Sequence, residues 1–252
     1  MGTASRKQRE IEERETKILE VARRILASEG YIKLNMERIA AEIEYAKGTV
    51  YQHFRNKEDI IVALDIEGHK VMAELFRMAA SFEGTPRHRM TAIGVASNLK
   101  NQLYPDHLQI DRITSNPAIF EKATEERQEQ LRETEGACMA VLLELVCEAV
   151  DRKDLCLPEA TAPGDLVFGL WAMSSGAYDI ISTGIPLADH GVANPMAALW
   201  HNFTMLLDGY GWKPLSHEED YVDARRRAWT EIFAAEYSAY EPTWLKETQA
   251  TA

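Results

Sequence analysis

Apolar residues recur along this chain at three- and four-residue intervals, and no stretch alternates in the two-residue period of a strand. Residues 5–29 read as a charged helix whose Ile11, Ile18, Val21, Ala22 and Ile25 share a face. Glu10 with Arg14, and Glu13 with Lys17, have the i, i+4 order that steadies its exposed turns. Two short helices follow, separated by a break at Glu44-Tyr45-Ala46. Asn35 is a good N-cap for the first, and Leu34 before it can staple onto Ile39. The first buries Met36, Ile39, Ala40 and Ile43, the second Val50 and Phe54. Asn56 caps a fourth helix, with Glu58 and Asp59 in its first turn and apolar positions through Val62, Leu64, Met72, Leu75 and Phe76 to about Ala80. Gly84 and Pro86 mark a clear break, and further helices are predicted over 87–103, 107–113, 117–152, 164–183, 195–208 and 218–239, with prolines in or near the gaps. The predicted fold class is all-α: an N-terminal three-helix domain, residues 1–56, joined through the long fourth helix to a larger helical domain, residues 57–252.

The second short helix carries the first chemical signal. With Val50 and Phe54 facing inward, Lys47, Thr49, Gln52 and His53 are expected outward, the short polar and cationic side chains that reach phosphates and base edges. A helix of two turns buries too little to stand alone, so a neighbouring scaffold must present it. That is the logic of a helix-turn-helix lying on double-stranded DNA.

Ile39-Ala40, then Lys47-Gly48-Thr49-Val50-Tyr51-Gln52-His53-Phe54, then Lys57-Glu58 followed by Ile60, resembles the N-terminal DNA-binding domain of TetR-type (TetR/AcrR-like) transcriptional regulators. The preceding Ile18-Leu19, Ala22, Ile25-Leu26 and Gly30-Tyr31 fit the same family, so the resemblance covers roughly residues 15–65, about a quarter of the chain. It implies phosphate contacts by Tyr51 and Lys57, and at Gly48 a close approach of backbone to DNA. The departures fall at the turn. Where the family usually carries Ala-Gly-Val-Ser, this chain has Ile43-Glu44-Tyr45-Ala46. A non-glycine in such a turn costs on the order of 1 kcal/mol, and an alanine in place of a capping serine about 1 kcal/mol more.

For the larger domain the resemblance implies a small-molecule effector and a homodimer. Residues 164–183 are apolar nearly all round and rich in Gly169, Ala172, Ser174, Ser175, Gly176 and Ala177, so they must be covered on every side. With 195–208 they are the expected four-helix dimer interface; the centre of a monomeric bundle is the alternative. Met72, Phe76, Tyr104, Phe120, Phe168, Trp171 and Tyr178 are the candidate lining of an apolar or aromatic effector pocket, although aromatics at helical spacing are also what a plain core uses.

Composition changes this picture in three places. The net charge of −12 at first argues against DNA, but residues 1–60 hold 12 Lys and Arg against 11 Asp and Glu, and residues 61–252 hold 16 against 29. An acidic body behind a near-neutral head favours contact through one face. Cys138, Cys147 and Cys156 form no CxxC pair and are expected as buried free thiols. His69, His88, His107, His190, His201 and His217 look scattered, so no metal and no cofactor is expected.

No apolar run reaches the roughly 18 residues of a membrane span, and no signal-peptide pattern precedes the charged N-terminus; a cytoplasmic protein that touches no membrane is expected. G-x-S-x-G, Walker, H-E-x-x-H and Rossmann patterns are all missing, and the chain is not expected to be an enzyme. The expected function is a ligand-responsive transcriptional regulator, a repressor, that binds a palindromic operator as a homodimer. The competing reading is a helical scaffold whose head has weakened or lost DNA binding.

Overall fold

The computed structural model describes residues 3–242, and those residues contain helices and turns but no strand. They form α1 (Thr3–Glu29), α2 (Met36–Glu42), α3 (Lys47–His53), α4 (Lys57–Ala80), α5 (Pro86–Leu103), α6 (His107–Thr114), α7 (Pro117–Phe120), α8 (Glu125–Asp151), α9 (Pro163–Ser182), α10 (Pro195–Gly209) and α11 (Tyr221–Ala228), after which a π-helical turn, Trp229–Phe233, leads into α12 (Ala234–Tyr237). The all-α fold read from the periodicity is the observed one. No helix among the described residues is long and apolar enough to cross a membrane.

Helix starts follow their capping side chains. The Arg38 amide donates to Asn35 Oδ1 at 2.8 Å, and the Asp59 amide to Asn56 Oδ1 at 2.8 Å, as the cap pattern predicts. At α7, Asn116 accepts from the Ala118 amide at 3.0 Å, with Pro117 in the first helical position. The helix expected over 117–152 is instead two, because residues 121–124 spend their backbone elsewhere. The Thr124 amide donates to Asp59 Oδ1 at 2.6 Å, and the Lys122 carbonyl accepts from Asn56 Nδ2 at 2.8 Å. A turn whose polar groups are tied to the start of α4 cannot also close a helical ladder.

The chain forms two compact units that interleave in sequence: residues 1–70 with 104–135, and residues 71–103 with 136–252. The unit holding the short helices is thus larger than residues 1–56, since it also takes in the first half of α4, α6, α7 and the start of α8. Its core gathers Ile18, Ala22 and Ile25 of α1, Ile39 of α2, Val50 of α3, Phe54, and Ile60 and Leu64 of α4, all nearly sealed from solvent. Ile110 of α6 closes the same cluster. Glu58 and Asp59 are buried with partners: Glu58 accepts from Tyr31 Oη at 2.8 Å, and Asp59 Oδ2 from the Arg55 amide at 2.8 Å.

The second unit is built on α5, which buries Met90, Ile93, Val95 and Leu99 against α8–α11 residues including Leu142, Val146, Leu166, Leu170 and Trp200, with Trp212, Trp229 and Phe233 completing the core. Arg87 sits among them, 1% exposed. Cys138 is buried, but Cys147 and Cys156 are exposed, so the expectation of three buried thiols holds at one position; 138 and 147 lie nine residues, two and a half turns, apart and face opposite ways.

Candidate nucleic-acid interface

Three helices hold the candidate reading surface. α2 and α3 pack on each other, and α1 packs on α2, so α3 is fixed from behind through Val50 and Phe54 while its other side is open. Lys47, Gly48, Tyr51 and Gln52 are exposed and Thr49 is half-buried. A Cβ placed on Gly48 would meet nothing within 4 Å, so this turn of backbone presents its bare surface to the outside. Lys47 forms an ion pair with Glu37 of α2 and lies 5.5 Å from the centre of the Tyr51 ring. Glu37 holds the Lys47 ammonium above its ordinary range, so it stays charged, and an exposed pair of this kind exchanges readily for a phosphate. At the start of α4, Lys57 Nζ sits 3.8 Å over the Tyr31 ring. Tyr31 itself is pushed up to about 12 by burial and by its bond to Glu58, so it remains a neutral phenol under the cation.

His53 departs from expectation. Its side chain is only 6% exposed and its Nδ1 lies 3.6 Å from Glu15 of α1. Position 53 is three residues after Val50, which in a helix is the flank of the inward face rather than the outward one. His53 positions α3 against α1 and does not stand among the outward set.

The turn before α3 carries the strain that its residues imply. Glu44 adopts φ 58°, the left-handed region, without being glycine. Ala46 occupies the N-cap of α3 and supplies no side-chain bond to the orphan amides. Backbone contacts hold the turn instead: the Tyr45 amide reaches Ala40 O at 3.0 Å and the Thr49 amide reaches Ala46 O at 2.8 Å.

The seven residues expected to line an effector pocket are divided between the two units. Tyr104 and Phe120 belong to the first unit, where Arg23 stacks on Tyr104 at 5.1 Å and Arg132 on Phe120 at 5.4 Å. In the second unit Phe76 is core and Met72 packs against that core. Tyr178 is half-buried and its Oη accepts from Asn98 Nδ2 at 3.4 Å, while Phe168 and Trp171 are 61% and 54% exposed on α9. Helical spacing says which residues share a helix face, not which neighbour that face meets. A surface pocket of about 320 Å³ is lined by Pro158, Thr161, Met205, Leu206, Gly209 and Tyr210, none of them in the expected set.

One cluster escaped the sequence reading. Asp65 and His69 of α4 and His107 of α6 converge in the first unit, with Asp65 Oδ1 3.1 Å from His69 Nδ1 and 3.0 Å from His107 Nε2. The i, i+4 spacing of Asp65 and His69 was legible in the sequence; the arrival of His107 was not.

Comparison with known proteins agrees with this geometry. The sequence family described as bacterial regulatory proteins, tetR family, matches residues 18–64, the span from α1 into α4. An uncharacterized HTH-type transcriptional regulator of Mycobacterium tuberculosis is 37% identical over 60 residues, 24% of this chain and 30% of that protein, so the chain aligns with less than a third of that relative's length. The fatty acid metabolism regulator protein of Bacillus subtilis is 24% identical over 177 residues, 66% of this chain and 87% of the relative. Among solved structures, a transcriptional regulator of the TetR/AcrR family from Thermobifida fusca superposes with a TM-score of 0.58 at 22% identity, covering 79% of this chain and 98% of that one, a likeness of fold.

Proposed function

We propose, because residues 18–64 match the tetR family of bacterial regulatory proteins, that the chain is a TetR-type transcriptional regulator, a ligand-responsive repressor that binds a palindromic operator as a homodimer. The observation that carries this reading is α3: a short helix anchored by Val50 and Phe54, with Lys47, Tyr51 and Gln52 exposed and Thr49 half-buried around the bare backbone of Gly48. Lys47 and Thr49 reach the groove and its rims, Gln52 reads a base edge, and Tyr51 and Lys57 contact phosphates, with His53 bracing the helix from behind. Operator binding places the protein in the cytoplasm, with the chromosome. Selection of bound genomic fragments at near-physiological salt should recover one palindrome; no enrichment at any salt would overturn the reading.

The contributions of individual side chains separate by their salt and sequence dependence. Lys57→Ala should weaken all DNA sequences about equally and lower the slope of log affinity against log salt by about one, whereas Gln52→Ala should change which sequences are preferred. If both variants merely scale affinity, Gln52 does not read a base.

Apolar groups exposed in the second unit, and the fatty acid metabolism named for the Bacillus subtilis relative, support an apolar effector, with an aliphatic-chain compound the first to try. Met72, Phe76 and Tyr178 remain the expected residues nearest to it in that unit. Release of the operator by such a compound in a mobility-shift titration tests this.

A second reading, a helical scaffold with a weakened head, is favoured by the turn alone. Glu44 brings both backbone strain and a negative charge beside the expected phosphate track. Glu44→Gly should therefore tighten operator binding, most at low salt, and stabilise the head by up to about 1 kcal/mol. Affinity unchanged across several salt concentrations would show that the turn does not limit binding.

A further inference from the structure

We infer that Asp65, His69 and His107 form a binding site for a divalent first-row transition-metal ion, of the kind typified by zinc. The reading does not depend on the proposed DNA function.

The donor set is chemically suited. Two imidazole nitrogens and one carboxylate oxygen are ligands for zinc and its neighbours in the transition series, whereas magnesium and calcium take oxygen donors. The spacing is suited as well. The three donor atoms lie within 4.8 Å of one another, with the carboxylate oxygen 3.0 and 3.1 Å from the two nitrogens. Ligands on an ion with bonds of about 2.0–2.1 Å lie about 3.3 Å apart in a tetrahedron, so small side-chain adjustments admit the ion. Asp65 is fully buried, and its Oδ1 has the two imidazole nitrogens as its neighbours, which also lie 3.1 and 3.4 Å from the Asp65 carbonyl oxygen, so a carboxylate, a carbonyl and two imidazoles converge on one point. Its other oxygen, Oδ2, accepts from the Thr114 hydroxyl, the outer contact that orients a metal-binding carboxylate.

The site is built into the backbone too. A Cβ at Gly68 would lie 1.9 Å from Cδ2 of His107, so only glycine there lets the imidazole reach down onto α4 beside Asp65. An ion so held would tie α6 to α4 inside the unit that carries the head.

The test uses the full chain, stripped of metal and titrated with Zn2+ and separately with Co2+, with Mg2+ as the control. The expected result is one equivalent of Zn2+ per chain, a higher Tm in its presence, no such effect of Mg2+, and a loss of affinity of about 100-fold or more in His69→Gln and in His107→Gln. Cys147→Ser with Cys156→Ser, which removes both exposed thiols, should leave binding unchanged. Because a buried histidine variant can fail to fold, the Co2+ form of the unsubstituted protein supplies an independent reading. Visible d–d bands without a thiolate charge-transfer band in the near ultraviolet are expected. Binding below stoichiometry, affinity unchanged in folded His69→Gln, or a thiolate band would each overturn the assignment.

Discussion

Arg87→Met is expected to destabilise the second unit by about 3–5 kcal/mol, the typical cost of removing one partner of a buried ion pair. The guanidinium is 1% exposed and spends its donors on many acceptors at once. It pairs with Asp208 Oδ1 at 2.6 Å, donates to the carbonyls of Pro214 at 2.8 Å, Thr204 at 3.4 Å and Trp212, and stacks 4.5 Å from the centre of the Tyr221 ring. Methionine fills most of the volume and replaces none of the donors, so the loop from Trp212 to Pro214 and the end of α10 lose their common anchor. Arg87→Lys keeps the charge but offers a compact point donor in place of a planar fork, and should recover part of the loss. Urea unfolding followed by tryptophan emission reads both; a loss below about 1 kcal/mol in Arg87→Met would place this pair with exposed ion pairs in effect.

For the homodimer and palindromic operator proposed above, replacing Phe168 and Trp171 together by glutamate is expected to give monomers and to weaken operator binding by roughly 10²- to 10⁴-fold. Both rings are exposed on α9 and lie 6.2 Å apart, centre to centre, with Ile180, Ile185 and Met205 also exposed in the same unit. Exposed apolar surface of this kind is what the proposed dimer would cover. Two heads bound to one palindrome act through a high effective concentration, which a monomer loses without any change at α3. Because neither side chain is buried, the double variant should keep its helical content and melting behaviour. Light scattering would give the oligomeric state, and fluorescence anisotropy at fixed salt the affinity. A double variant that remains dimeric with unaltered affinity would remove α9 from the interface.

What could be read from the chain before its structure was what is local. Asn35 and Asn56 announce helix starts because a cap is satisfied within three residues. The strain at Glu44 was legible for the same reason, since the turn between two short helices demands a left-handed residue near that position. His53 was misplaced, though its three-residue offset from Val50 held the answer, because a polar residue was taken to face outward by its chemistry and not by its angle. The break at residues 121–124 was not legible, as its cause is Asp59, more than sixty residues earlier.

The sequence by itself determined the all-α class, the helix-turn-helix, the near-neutral balance of residues 1–60 ahead of an acidic remainder, and the outward positions of Lys47 and Gln52. These follow from periodicity, capping and charge, which act over a turn or two of helix. Only the tertiary structure decided that α6 and the start of α8 belong with the head, that the expected pocket residues are divided between two units, and that His107 comes to rest over Gly68 beside Asp65 and His69. Each of these depends on which helix face meets which neighbour. That choice is made by the packing of side chains far apart in the chain, and no local pattern encodes it.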